Sequence, residues 1–101
     1  MKPLQHLESL ALTTMASGHV CLNLTERVGW EEFPSFAESF IRSIGGSVIQ
    51  RSDGPDLRLW DVNIQGHLLR FVFDDYPVMV SLESSDEKGD GILRKLYLTL
   101  K

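Results

Sequence analysis

The hydrophobic period of the chain changes at Gly45-Gly46. Before this pair, Trp30, Phe33, Ala37, Phe40, Ile41 and Ile44 recur at spacings of three and four, which is one face of an α-helix. After it, apolar and polar residues alternate, which is a strand with one buried face. One period cannot serve the other element. The chain must therefore pass from helix to sheet at the glycines.

The helix spans the segment from Trp30 to Ile44. Glu31, Glu32, Ser35, Glu38, Arg42 and Ser43 fill its polar face. Pro34 is tolerated only in a first turn, where backbone N–H groups lack intrahelical partners, so the helix begins near Glu31. Glu31 and Glu32 then sit at the positive end of the helix dipole. The glycine pair ends the helix, because glycine accepts the left-handed angles of a C-terminal cap.

Four strands follow. "SVIQR" (47–51) is short, and "SDGPD" (52–56) is a loop of turn formers. "LRLWDVNI" (57–64) and "HLLRFVF" (67–73) are joined by Gln65-Gly66, a two-residue hairpin turn. That turn sets Val62 opposite Leu69, Trp60 opposite Phe71 and Asp61 opposite Arg70. Leu59 and Val72 share the face of the charged pair, so that face is not wholly polar. In "VMVSLE" (78–83), Val78, Val80 and Leu82 point one way and Met79, Ser81 and Glu83 the other. After the polar break 84–91, Ile92, Leu93, Leu96, Tyr97 and Leu100 return to helical spacing, with Asp90 as the expected N-cap.

At the N-terminal end, "HVCLNLT" (19–25) reads as a strand. For residues 4–15 two templates compete. Leu4, Leu7, Ala11 and Met15 fit a helix, which is the favoured reading, with frayed first residues. Leu10, Leu12 and Thr14 fit a strand turning through "MASG" onto 19–25. The expected fold is a single α+β domain over residues 1–101, with 1–18 either helix or strand. Its order is strand–helix–four strands–helix. It has two layers: a mostly antiparallel sheet of about five strands, with two main helices on one face.

Composition excludes several function classes. Fourteen acidic residues face ten basic ones, and the basic ones are scattered at Arg51, Arg58, Arg70 and Arg94-Lys95. Nucleic-acid binders concentrate such charge in a patch or stripe, so no nucleic-acid partner is expected. No stretch approaches the ~20 apolar residues of a membrane helix, so no membrane partner is expected. The first twenty residues, interrupted by Glu8, do not form the apolar core of a signal peptide. Cys21 is the one cysteine, which rules out an internal disulfide and suits a reducing, cytoplasmic setting.

Candidate chemistry is sparse. Asp74-Asp75-Tyr76-Pro77 reads as a four-residue hairpin loop. In "DEKGDG" (86–91), Asp86, Asp90 and Gly91 fall at positions one, five and six of a calcium loop. Lys88 at position three and Tyr97 at position twelve spoil that match. His6, His19 and His67 share no metal-ligand spacing. Cys21 needs a neighbouring base to be a nucleophile. No G-x-S-x-G elbow and no phosphate-binding glycine loop occur. Neither catalytic nor metal-binding residues are assigned, no cofactor is expected, and an enzyme is not expected.

The runs "HVCLNLTERVGWEEFPSFAESFIRSIGG", "LLRFVFDDYPVMVSLES" and "GILRKL" resemble a family of proteins of roughly 100 residues and unknown function from gamma-proteobacteria. The resemblance spans residues 19 to 100 and implies a bacterial protein, with no functional motif to carry over. The element order of 30–100 is also similar to double-stranded-RNA-binding domains. It departs from them in an extra strand, a negative net charge and a second helix without a basic N-terminal cluster.

What remains is a non-enzymatic interaction module: an adaptor, regulator, chaperone or toxin-neutralising protein, partnered by another protein or by itself as a homodimer. Leu59 and Val72 on the second sheet face, Phe36 off the main helical stripe and Tyr76 at a loop tip are its candidate contact residues. The alternative is a small-ligand pocket between helix 30–44 and the sheet, lined by Trp30, Trp60 and Phe71. A catalytic reading would require His67, Cys21 and a carboxylate to meet.

Overall fold

The computed structural model describes residue 7, residues 9–75 and residues 77–101. The elements are β1 (Ala11–Thr14), β2 (Val20–Thr25), α1 (Phe33–Ser43), β3 (Ser47–Asp53), β4 (Leu57–Ile64), β5 (His67–Asp75), β6 (Val78–Glu83) and α2 (Glu87–Leu100). The strands form one antiparallel six-stranded sheet in the order β1-β2-β6-β5-β4-β3. The fold is α+β as expected, with six strands rather than about five.

The extra strand is β1. Ala11–Thr14 is not helical but pairs with β2, Leu12 opposite Leu22 and Thr14 opposite Val20. Gly18, at φ +90°, lets the chain turn back between the two strands. The strand template prevails because it buries the Leu12 side of β1 against the core that β2 already lines. The helical template would have left the edge of β2 open. The start of residues 4–15 lies largely outside the described residues.

The inner face carries the core. Val20, Leu22, Trp60, Val62, Ile64, Leu69, Phe71, Phe73, Val80 and Leu82 are each 3% exposed or less. α1 lies on it through Phe33, Phe36, Ala37, Phe40 and Ile41, and α2 through Ile92 and Leu93. Phe33 sits edge-on to Trp60 at 5.0 Å and to Phe71 at 5.4 Å. Such ring pairs contribute about 0.5–1.5 kcal/mol beyond their buried area.

The β4–β5 hairpin has the expected register, with Val62 opposite Leu69, Trp60 opposite Phe71 and Asp61 opposite Arg70. Gln65 and Gly66 both adopt positive φ, +57° and +77°, as the tight turn of a right-twisted hairpin requires. Two boundaries move. β3 runs on through Ser52 and Asp53, because they pair with Leu59 and Arg58. β5 includes Asp74 and Asp75, opposite Met79 and Val78, so the connection to β6 is residues 76–77 and not a four-residue loop.

α1 ends as the glycine pair demands. The Gly45 N–H donates to the Arg42 carbonyl at 3.1 Å and the Gly46 N–H to the Ile41 carbonyl at 2.8 Å, with Gly45 at φ +79°. This is a Schellman cap. The two glycines serve different ends. A Cβ on Gly45 would meet nothing, whereas one on Gly46 would lie 2.7 Å from the Asn63 carbonyl oxygen and 3.1 Å from Ile41 Cγ2. Gly45→Ala should therefore cost only the left-handed strain, about 1–2 kcal/mol. Gly46→Ala must push α1 away from β4 and should cost about 2–3 kcal/mol. Urea denaturation of the two variants tests this ranking.

Candidate functional site

The chemistry-bearing side chains gather at the N-terminus of α2. The helix starts at Glu87, earlier than the apolar period suggests, and its N-cap is Asp86, not Asp90. Asp86 Oδ1 accepts from the Gly89 N–H at 2.8 Å and also meets His67 Nε2 at 2.8 Å. Gly89 and Gly91 are poor helix formers, which hides this turn in the sequence. Gly89 is needed there, since a Cβ would come within 2.5 Å of Ser84 Oγ.

Asp90 lies inside the first turn and is 6% exposed. One carboxylate oxygen accepts from the Val20 N–H at 2.9 Å, and the other meets His19 Nδ1 at 3.0 Å. The hydrogen bond with His19, then that from Val20, holds its pKa down at about 2. The Gly89 N–H and then His67 lower the pKa of Asp86 as well. Two histidine–aspartate contacts thus pin α2, one to the start of β2 and one to the start of β5. Both aspartates of the calcium-like run are engaged in this way. Among the described residues no three His, Cys, Asp or Glu side chains converge as metal ligands.

Cys21 and His67 are not brought together. His67 shares the face of Leu69 and Phe71, while Cys21 pairs with Glu83 on the opposite face. Cys21 is 7% exposed, and desolvation raises its pKa. A buried neutral thiol of this kind is a poor nucleophile.

The supposed pocket is filled. Phe33 occupies the space between Trp60 and Phe71, which are 1% and 0% exposed. Trp30 is covered by the Arg58 guanidinium, 3.8 Å from its ring centroid. Arg58 also donates to the Trp30 carbonyl at 2.9 Å and pairs with Asp53 at 3.0 Å, and Asp53 accepts from the Trp60 indole N–H at 2.9 Å. The sequence reading missed Arg58 as the lid of the core. Its strand parity with Trp60 and Val62, both inward, was the available signal.

Phe36 is a correction. It is 7% exposed, stacked with Phe40 at 5.9 Å and edge-on to Phe71 at 6.5 Å. It lies three residues after Phe33 and four before Phe40, so it belongs to a broad apolar stripe rather than outside it. Tyr76 lies outside the described residues.

Both helices lie on the inner face, and no helix among the described residues covers the other face. One row across it runs Thr13, Cys21, Glu83, Arg70, Asp61 and Gln50; the next runs Ala11, Asn23, Ser81, Val72, Leu59 and Ser52. Val72, Cys21 and Ser81 on this face are only 7%, 7% and 5% exposed, and Leu59 is half-buried. Leu57, beyond them, is 36% exposed. The structure therefore groups Leu59 and Val72 as predicted and adds Leu57 and half-buried Met79 at their side. A cleft of about 170 Å³ opens on the same face between Leu68, Arg70, Asp61, Glu83, Ser84 and Ser85. No helix among the described residues is long and apolar enough to cross a membrane.

A family described as a protein of unknown function (DUF3630) matches residues 10–100. The chain belongs to that family. No curated protein and no solved structure matched it.

The Asp90 contacts predict an acid-dependent stability. Its carboxyl titrates at about 2 in the folded protein against 3.8 ordinarily, so protonation favours the unfolded chain. The stabilisation is complete above pH 3.8 and is lost as the pH falls through about 2. Urea midpoints of Asp90→Asn should lie below those of the parent at pH 7, and the gap should close as the pH approaches 2. A gap that persists undiminished at acid pH would contradict the assignment.

Proposed function

We propose that this protein is a non-enzymatic binding module of the bacterial cytoplasm that contacts another polypeptide, a different protein or a second copy of itself, through its uncovered sheet face. The observation that carries this reading is the asymmetry of the two layers. Helices cover one face of a six-stranded sheet, and the other retains Leu57, Leu59, Val72 and Met79 in contiguous positions. Burying such a patch is favourable at roughly 25 cal/mol per Å² of apolar surface. The flanking Glu83, Arg70 and Asp61 row provides a polar rim, as interfaces commonly have.

The histidines and the buried aspartate support the same reading, because they tie α2 to the sheet. The ligand-pocket alternative lacks room, since Phe33 fills the space it needs.

The test is a tagged pull-down from the source organism, run beside Leu59→Lys and read with sedimentation of the purified protein. The reading expects either one stoichiometric polypeptide or a self-associated species in the parent, reduced at least tenfold in Leu59→Lys at unchanged thermal stability. A monomer that retains nothing, or equal retention by the variant, would overturn it.

A further inference from the structure

β3 forms one edge of the sheet, so a row of its backbone N–H and C=O groups faces no strand. All of its residues but Val48 are exposed. Beside it runs a groove of about 340 Å³, walled by Glu38, Ile41 and Arg42 of α1 and by Ser47, Val48 and Arg51 of β3. α1 reaches β3 as well as the rings of β4 and β5, and the groove runs where the exposed side of the helix meets the edge strand.

Its chemistry is mixed in an ordered way. Half-buried Val48 makes the apolar part, with Ile41 behind it only 1% exposed. Two guanidinium groups face one carboxylate: Arg51 pairs with Glu38 at 2.8 Å, and Arg42 is exposed with no ion pair among the described residues. In a chain of net charge −4, this is a local excess of positive charge. Arg51 is further held 4.8 Å from the Trp60 ring centroid, which presents its guanidinium in a fixed position.

An open strand edge selects an extended partner, since only an extended chain matches its row of donors and acceptors. Alternate side chains of such a strand, roughly 7 Å apart, would project into the groove. The register shift between Val48 and Gln50 turns part of the edge out of line, which restricts pairing to 50–53 and disfavours indiscriminate strand addition.

We propose that the groove between α1 and the edge strand β3 binds an extended acidic segment of another polypeptide, adding a strand to the sheet. The segment places an aliphatic side chain against Val48 and a carboxylate, two residues away, against Arg42 and Arg51. This rests on the reading that the protein binds polypeptides, but it uses a surface away from Leu59.

The experiment uses the full chain and a pooled heptapeptide library in which aliphatic residues alternate with acidic, neutral or basic ones. Peptides alternating aliphatic and acidic residues should be enriched at least tenfold over the basic set. The enriched peptides should slow amide exchange within residues 50–53. Arg42→Glu, an exposed change, should remove the enrichment, and Leu59→Lys should leave it intact. Equal retention of acidic and basic peptides, protection elsewhere than β3, or no retained peptide would overturn the proposal. Protection of β3 that rises with protein concentration alone would assign the edge to a second copy and overturn it too. If the peptides fail while Leu59→Lys still abolishes partner capture, only the groove assignment falls.

Discussion

Phe33 reaches from the first turn of α1 into the rings of Trp60, Phe71 and Phe73, at 5.0, 5.4 and 5.4 Å. That contact fixes where the helix lies along β4 and β5, and much else follows from it. With the first turn anchored there, Pro34 falls where a helix tolerates it, and Phe36 and Phe40 fall on Phe71. The other end of α1 is set by Gly46, whose missing side chain lets the helix end touch the Asn63 carbonyl. The helix is thus held at both ends over the β3–β4–β5 side of the sheet. Its exposed side meets the edge strand β3, and the groove lies between them.

The second helix is held differently. Its apolar side, Ile92 and Leu93, joins the common core, but its start is fixed by polar contacts. Asp90 binds the Val20 N–H and His19, and Asp86 caps the helix while meeting His67. These are the groups a catalytic site would draw on, and here each has a scaffold role. Hydrogen bonds to charged groups contribute more than neutral ones, and buried carboxylates without them are costly. The result is an asymmetric body, with both helices packed on the inner layer and no described helix on the other face.

Much of this was legible in the sequence. The period change at Gly45-Gly46 located α1 and the sheet, and the two-residue turn at Gln65-Gly66 carried the whole β4–β5 register. Three features were not legible, each for a physical reason. β1 is four residues long and gains its strand form only by pairing with β2, so its local pattern was ambiguous. The start of α2 contains two glycines and a buried aspartate, which read locally as a loop. The strand parity of Arg58 with Trp60 told that it points inward, but its two partners, Trp30 and Asp53, come from other segments that local spacing does not bring to it. Of the predicted contact residues, Leu59 and Val72 do lie together, while Phe36 belongs to the core because the apolar stripe of α1 is broader than its first four members suggest.

The central claim is that the helices seal one face of the sheet, while Leu57, Leu59 and Met79 on the other face reach solvent. Methyl-resolved NMR of the dilute protein with a soluble paramagnetic gadolinium chelate tests it most directly. The account predicts strong broadening of the Leu57, Leu59 and Met79 methyls and little effect on Val62, Leu82 and Leu93. Equal protection of the two sets would show both faces covered in the isolated chain and would contradict the account.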